Sequence, residues 1–217
     1  MSNGEYDTWH KYKDIFLQDG FTFEIVQKIA DLSYCYLWDL YYLFKHGREI
    51  PDGGIFFEIG AHVGGSMITV AEGAKSAGKK IQLMTIEPFW ETPPEKEEEF
   101  KINTRDYPHI LYKDFSFNVH PKITDNSVDL LFIDGSHDYE RVCEDIVNFW
   151  PKLRIGGVLL GHDFDFGYVM YGERNKINDG VVEAVLDKLR LQEIIKLRMS
   201  SVFKVIKTSE NLQKGVL

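Results

Sequence analysis

Two cysteines in 217 residues are too few to staple a small scaffold, and neither belongs to a CxxC pair that would hold zinc. Cys35 and Cys143 each sit in a helical pattern among apolar and aromatic neighbours, so both are expected as buried free thiols in a reducing compartment. Basic residues are also short: 25 Lys and Arg stand against 34 Asp and Glu, a net charge of −9. A nucleic-acid binder needs a basic stripe to displace counterions, and the chain as a whole has no such excess. No apolar run is long enough to span a bilayer. The opening MSNGEYDTWHKYKD has no apolar segment of the signal-peptide kind. Internal repeats and long linkers are missing too. What is left is a cytoplasmic globular protein, 44% hydrophobic and 27% charged, long enough for one sizeable core with a helical appendage.

From Ile55 onward strand and helix patterns alternate. Strands are expected at 55–59, 81–86, 110–113, 128–133 and 157–161, and helices near 64–78, 94–104, 139–150 and 179–190. This alternation implies a parallel sheet covered on both faces, a doubly wound α/β fold. Pro151 stops the helix at 139–150, whose Val142, Ile146 and Phe149 make one buried stripe. The tail differs, because 193–199 and 202–207 are extended runs around Ser200-Ser201 and predict a terminal hairpin. The acidic run Glu95–Glu99 follows Pro93-Pro94 and opens a solvated helix, where carboxylates suit the amino end of the dipole.

Upstream, residues 1–21 read as an irregular arm and about 22–45 as one helix. Val26, Ile29, Leu37, Leu40 and Phe44 mark its first face, and Tyr34, Trp38, Tyr41 and Tyr42 a second. A helix apolar on two sides must bury both. That predicts either a homo-oligomer contact or an aromatic cover for substrate, and divides the chain into a 1–50 extension and a 51–217 domain.

The chemistry gathers where strands end. VDLLFIDGSHD at 128–138 is an apolar run that stops at Asp134 and His137, and a second run, Gly157–Gly161, stops at His162-Asp163-Phe164-Asp165. Ligands of open α/β sheets bind beyond the carboxyl ends of the strands, so these ends read as one site with acid, base and metal-ligand capacity. Earlier, Phe57–Gly65 runs a strand into a glycine turn that opens a helix. The second strand ends in Glu87, an acceptor for both ribose hydroxyls, and the third in Asp114, an acceptor for an adenine amino group. An adenosine-containing cofactor follows. The dinucleotide pattern GxGxxG would need glycine where His62 stands between Gly60 and Gly65, which counts against a pyrophosphate. Glu58 suits a cationic cofactor such as S-adenosylmethionine, or else bonds the amides of the turn.

With FEIGAHVGGS at 57–66, TIEPF at 85–89, VDLLFIDGSHDYERVCEDI at 128–146 and LRIGGVLLGHDF at 153–164, the chain resembles the class I S-adenosylmethionine-dependent methyltransferases. It is most similar to their branch of macrocin-type sugar O-methyltransferases and cephalosporin-hydroxylase-like proteins. The resemblance implies a Rossmann-like, mostly parallel sheet of seven strands, with the last hairpin supplying the antiparallel strand. It implies that Glu58, Gly60, Gly64, Glu87 and Asp114 line the cofactor, together with Ser66 and Ser136. His62 and Asp134, from the same two turns, complete the candidate set. It also implies a divalent metal, Mg²⁺ in the sugar enzymes, held by Asp134 and the His162-Asp163 pair, with His137 as catalytic base.

One departure stands out, because the first of the later pair is usually acidic and here is His162. Mg²⁺ prefers oxygen ligands, so His162 faces away, binds a softer metal or acts as a second base, and Asp165 becomes a substitute ligand. Asp138 can be read as a simple cap for the helix at Tyr139, and His137 as a satisfied turn residue. Phe164, Phe166, Tyr168 and Tyr171 either pack the loop or stack on the acceptor. Arg174-Asn175-Lys176 is a solvated loop or an anion contact. The expected activity is O-methylation of a small polar acceptor, such as a sugar. Two rivals are a metal-dependent hydrolase using the same Asp/His cluster and a non-catalytic cofactor-binding assembly module.

Overall fold

A computed structural model of the chain describes residues 3–90, 92–164, 169–170, 173–174 and 179–209. Its helices are α1 (Asn3–Gln18), α2 (Phe23–Ile29), α3 (Leu37–Glu49), α4 (Gly65–Ser76), α5 (Pro94–Thr104), α6 (Ser116–Val119), α7 (Tyr139–Phe149) and α8 (Asp179–Lys188). Its strands are β1 (Ile55–Ile59), β2 (Gln82–Ile86), β3 (His109–Tyr112), β4 (Val128–Ile133), β5 (Leu153–Gly161), β6 (Val169–Met170), β7 (Glu173–Arg174), β8 (Ile195–Lys196) and β9 (Phe203–Ile206). Seven strands form one sheet in the order β3-β2-β1-β4-β5-β9-β8, and β6 and β7 pair separately. The β2–β3 and β4–β5 ladders are parallel, and β9 is antiparallel to both β5 and β8. The expected doubly wound sheet with a terminal antiparallel hairpin is therefore present.

The chain divides into two compact units, residues 1–56 with 61–113 and residues 57–60 with 114–217. In the first, residues 3–18 are helical and not an irregular arm. The helix expected over 22–45 is in fact two, with a short 3-10 turn at Ala30–Leu32 and an extended stretch before α3. Thr22 caps α2 by accepting the Ile25 N–H, and Asp39 reaches back to the Tyr36 N–H at 2.8 Å, so each helix has its own start signal. Cys35 consequently lies between helices; like Cys143 it is buried and not part of a disulfide.

The second aromatic face is covered within the chain. Trp38 and Tyr41 are buried with Trp9, Phe16 and Phe21, and Tyr12 and Tyr42 pack against that cluster. Phe16 of α1 lies 4.9 Å from the Trp38 ring and 5.0 Å from the Tyr41 ring. The second apolar face predicts self-association where one domain edge does not fully cover it; within the chain, α1 packs against that face. Only Tyr34, at 83% exposure, remains outside.

In the second unit all six residues of β4 are buried, the pattern of a central strand covered on both faces. Phe57 of β1 meets Phe149 of α7 at 5.3 Å. The buried Lys207, just past β9, donates its Nζ protons to the carbonyls of Trp150 at 2.9 Å and Leu153 at 2.6 Å. The first carbonyl belongs to the C-cap of α7, where backbone acceptors run out of intrahelical partners, and the second to the first residue of β5. No helix among the described residues is long and apolar enough to cross a membrane.

Candidate active site

The glycine turn is shaped first by the chain itself. Gly60 has φ +92°, and a Cβ there would stand 2.2 Å from the Asp134 carbonyl oxygen. Only glycine allows this approach. Gly64, also at φ +92°, starts α4 against Thr104, and a Cβ on Gly65 would strike the Leu32 carbonyl at 2.2 Å. Gly60 and Gly64 are expected to line the cofactor, and all three glycines also admit a close neighbouring segment of the chain.

Between them His62 takes a left-handed φ of 46°. Its N–H donates to Glu87 Oε2 at 2.7 Å, and the Phe89 N–H donates to Glu87 Oε1 at 3.0 Å. Glu87, expected as a ribose acceptor, thus ties its own loop to the glycine turn. The His62 ring meets Tyr34 at 5.0 Å, a contact with no periodic signature in the sequence. Ser66 lies buried in the first turn of α4. Those residues belong to the first unit.

In the second unit Glu58 is fully buried and has partners of its own. Asp114 accepts the Phe115 N–H at 2.8 Å and the Asn118 amide at 2.9 Å, both on Oδ1. Those bonds hold its carboxyl below the usual carboxylate range.

Beyond β4 and β5 the acid and imidazole groups converge. Asp134 N–H donates to Ile59 O at 2.9 Å, and His162 N–H to Ile133 O at 3.1 Å, so ladder bonds continue up to both residues. His137 Nε2 lies 2.6 Å from Asp163 Oδ2. His162 Nδ1 lies 3.3 Å from both Asp134 Oδ1 and Asp163 Oδ2, so this imidazole does not face away. Single ligand atoms of Asp134, His137 and Asp163 all lie within 4.8 Å of one another. Asp163 adopts φ 59°, a strained backbone that aims its carboxylate at the histidines.

The electrostatics follow from this packing. Burial by itself would raise the Asp163 pKa, but hydrogen bonds from His137 and His162, with their charge, hold it well below the usual range. The Asp163 hydrogen bond raises His137 above its ordinary value against the opposing effect of burial. Ser136 Oγ accepts the Asp138 N–H at 3.2 Å and rounds the turn. Asp138 occupies the N-cap position of α7 without a side-chain capping bond.

Several contributors were not visible as motifs. A Cβ on Gly180, at the start of α8, would stand 2.3 Å from the His137 carbonyl, so α8 backs the histidine's turn. Val142, Ile146, Val181 and Phe203 give the Asp/His cleft an apolar floor. The amphipathic periods of α7 and α8 could have pointed to the first three. Asp165, Phe166, Tyr168, Tyr171 and the side chains of Arg174-Asn175-Lys176 lie outside the described residues.

A family model described as a methyltransferase domain matches residues 57–164. Among solved structures the fold is similar to a protein from Corynebacterium glutamicum at 15% identity, over 95% of this chain and 98% of that one, with a TM-score of 0.65. It is similar to the cofactor-bound protein Rv0187 from MTB at 17% identity, 89% and 94% coverage and a TM-score of 0.65. It is also similar to the O-methyltransferase TomG from Streptomyces achromogenes, solved with S-adenosylmethionine, at 14% identity, 96% and 91% coverage and a TM-score of 0.55. No curated protein matches the sequence.

Proposed function

We propose that the chain, whose residues 57–164 match a methyltransferase-domain family model, is a class I S-adenosylmethionine-dependent methyltransferase that methylates a hydroxyl oxygen of a small polar acceptor, such as a sugar or a natural-product intermediate, with help from a divalent cation. The observation that carries this reading is the convergence of Asp134, His137 and Asp163 just past β4 and β5. The methyl donor is assigned to Glu58, Gly60, His62, Gly64, Ser66, Glu87, Asp114, Asp134 and Ser136. Glu87 suits ribose, and its bond to the His62 amide gives the turn a fixed shape before any ligand arrives.

Asp134 and Asp163 offer the carboxylate oxygens that a hard cation prefers. His162, at 3.3 Å from both, adds a donor that suits a softer ion. Bound there, a cation would orient the acceptor hydroxyl and lower its pKa, while the donor supplies an electrophilic methyl group. His137 performs the proton transfer. Its Nε2 must leave Asp163 and be unprotonated to accept the hydroxyl hydrogen, so that the O–C bond forms as the C–S bond breaks and the proton departs on the imidazole.

The test is methyl transfer from S-adenosylmethionine labelled in its methyl group to a panel of sugars and phenols, with and without chelator. Label should appear as a methyl ether and disappear reversibly on chelation. Full activity after exhaustive chelation would remove the cation from the reaction. Acceptor turnover without the methyl donor would favour a hydrolase.

A further inference from the structure

Helix α7 carries a carboxyl group where its pattern asks for an apolar side chain. Asp145 is 4% exposed, among the buried Val142, Ile146 and Phe149, and its hydrogen-bond partner is the Ser116 hydroxyl. One turn earlier on α7, the Arg141 guanidinium lies 5.3 Å from the centre of the Phe117 ring, and Glu144 Oε2 holds it at 3.0 Å. Positions 141 and 145 are neighbours on one helix face. Both therefore grip the same short segment, the turn that follows β3.

That segment is built around Asp114. Its Oδ1 takes the Phe115 N–H and the Asn118 amide, which leaves Oδ2 as the atom able to accept an amino group. Phe115 and Phe117 stack at 5.4 Å and 7°, so the Phe115 ring is braced by the ring under Arg141. A buried carboxyl with a hydroxyl partner costs stability compared with a well-packed apolar residue. A helix face serving only the core has no use for it.

We propose that Arg141 and Asp145 clamp the 114–118 turn so that Asp114 and Phe115 meet the adenine of the methyl donor already in register. Both are positioning residues, and the proposal rests on the assignment of Asp114 to the adenine amino group. Ordering this turn before binding spares the donor that part of the entropy of association.

The experiment is calorimetry with S-adenosylhomocysteine and S-inosylhomocysteine, which carries a carbonyl in place of the 6-amino group. The protein should prefer the first. Asp145→Ala should weaken S-adenosylhomocysteine roughly 10-fold and shrink the preference, while kcat at saturating donor stays within about twofold of the parent. Asp145→Asn keeps an oxygen for Ser116 and should restore both affinity and preference. Arg141→Ala changes a mostly exposed side chain, so the fold is not at risk, and it should shrink the preference in the same direction. A preference intact in Asp145→Ala and Arg141→Ala but lost in Asp114→Asn overturns the clamp. A preference intact in Asp114→Asn overturns the adenine assignment itself.

Discussion

At the scale of single residues, the pairing of His137 with Asp163 sets the working pH. As a base the imidazole must be neutral, and Asp163 raises its pKa above the ordinary 6.5. The rate should therefore climb with pH through a value above 6.5 and then level, and Asp163→Asn should move that limb downward. The stability contributed by the pair has the matching sign: it is present below the unfolded pKa of His137 and fades as pH rises through the raised folded value. His137→Ala should lower turnover by about 10²–10⁴ and leave S-adenosylhomocysteine affinity nearly unchanged. Near-normal turnover in that variant would pass the base role to His162.

Glu87 is a second case where one residue serves two ends. Glu87→Ala removes the proposed ribose acceptor and also frees the His62 and Phe89 amides. A loss of roughly 1.5–3 kcal/mol in donor binding is expected by calorimetry.

At the scale of elements, Asp145 links α7 to pH. Burial pushes its carboxyl up to about 6, opposed by the Ser116 hydrogen bond. Between its ordinary 3.8 and about 6 the unfolded chain ionises while the folded chain stays protonated, so stability falls across that window. Asp145→Asn should stabilise the fold by about 1–3 kcal/mol at neutral pH and by nothing in strong acid. Urea melts at several pH values would show it, and a gain that persists in strong acid would contradict the linkage.

The elements also show what the sequence could and could not reveal. β1, β4 and α5 were expected at the bounds they have, because apolar runs and Pro93-Pro94 leave little choice there. The Asp/His cluster was legible for a related reason: two buried runs each ended in a carboxylate and an imidazole. The α2–α3 break was not legible, since apolar residues recur at helical spacing straight across Ser33–Tyr36, and only the reach of Asp39 to the Tyr36 amide marks a new start. The Tyr34–His62 contact and the Gly60 approach to Asp134 join segments far apart in sequence, and no period reports them. Asp145 was readable in principle, as a carboxylate inside an apolar stripe, which is more informative than the stripe itself.

For the whole molecule, α1 decides whether an aromatic surface meets water. Removing residues 1–18 takes Trp9 and Phe16 away from Trp38 and Tyr41. The shortened chain should associate or aggregate at micromolar concentration in light scattering, because a contiguous apolar face of that kind seeks cover. Trp38→Ala in the full chain should cost about 3–5 kcal/mol in urea unfolding. A shortened chain that stays monomeric and stable would show that the aromatic face needs no partner at all.

Lys207 offers something different, an internal probe. Most lysine amines of a protein stand in solvent and react freely with acylating reagents. This one is 1% exposed, caged by carbonyls, with its pKa lowered by burial. Its amine can meet a reagent only when the end of β9 lifts from the carbonyls after α7. The acylation rate at Lys207, read by mass spectrometry against an exposed lysine such as Lys75, therefore counts those opening events directly. Local breathing at the sheet's antiparallel end becomes measurable without adding a label.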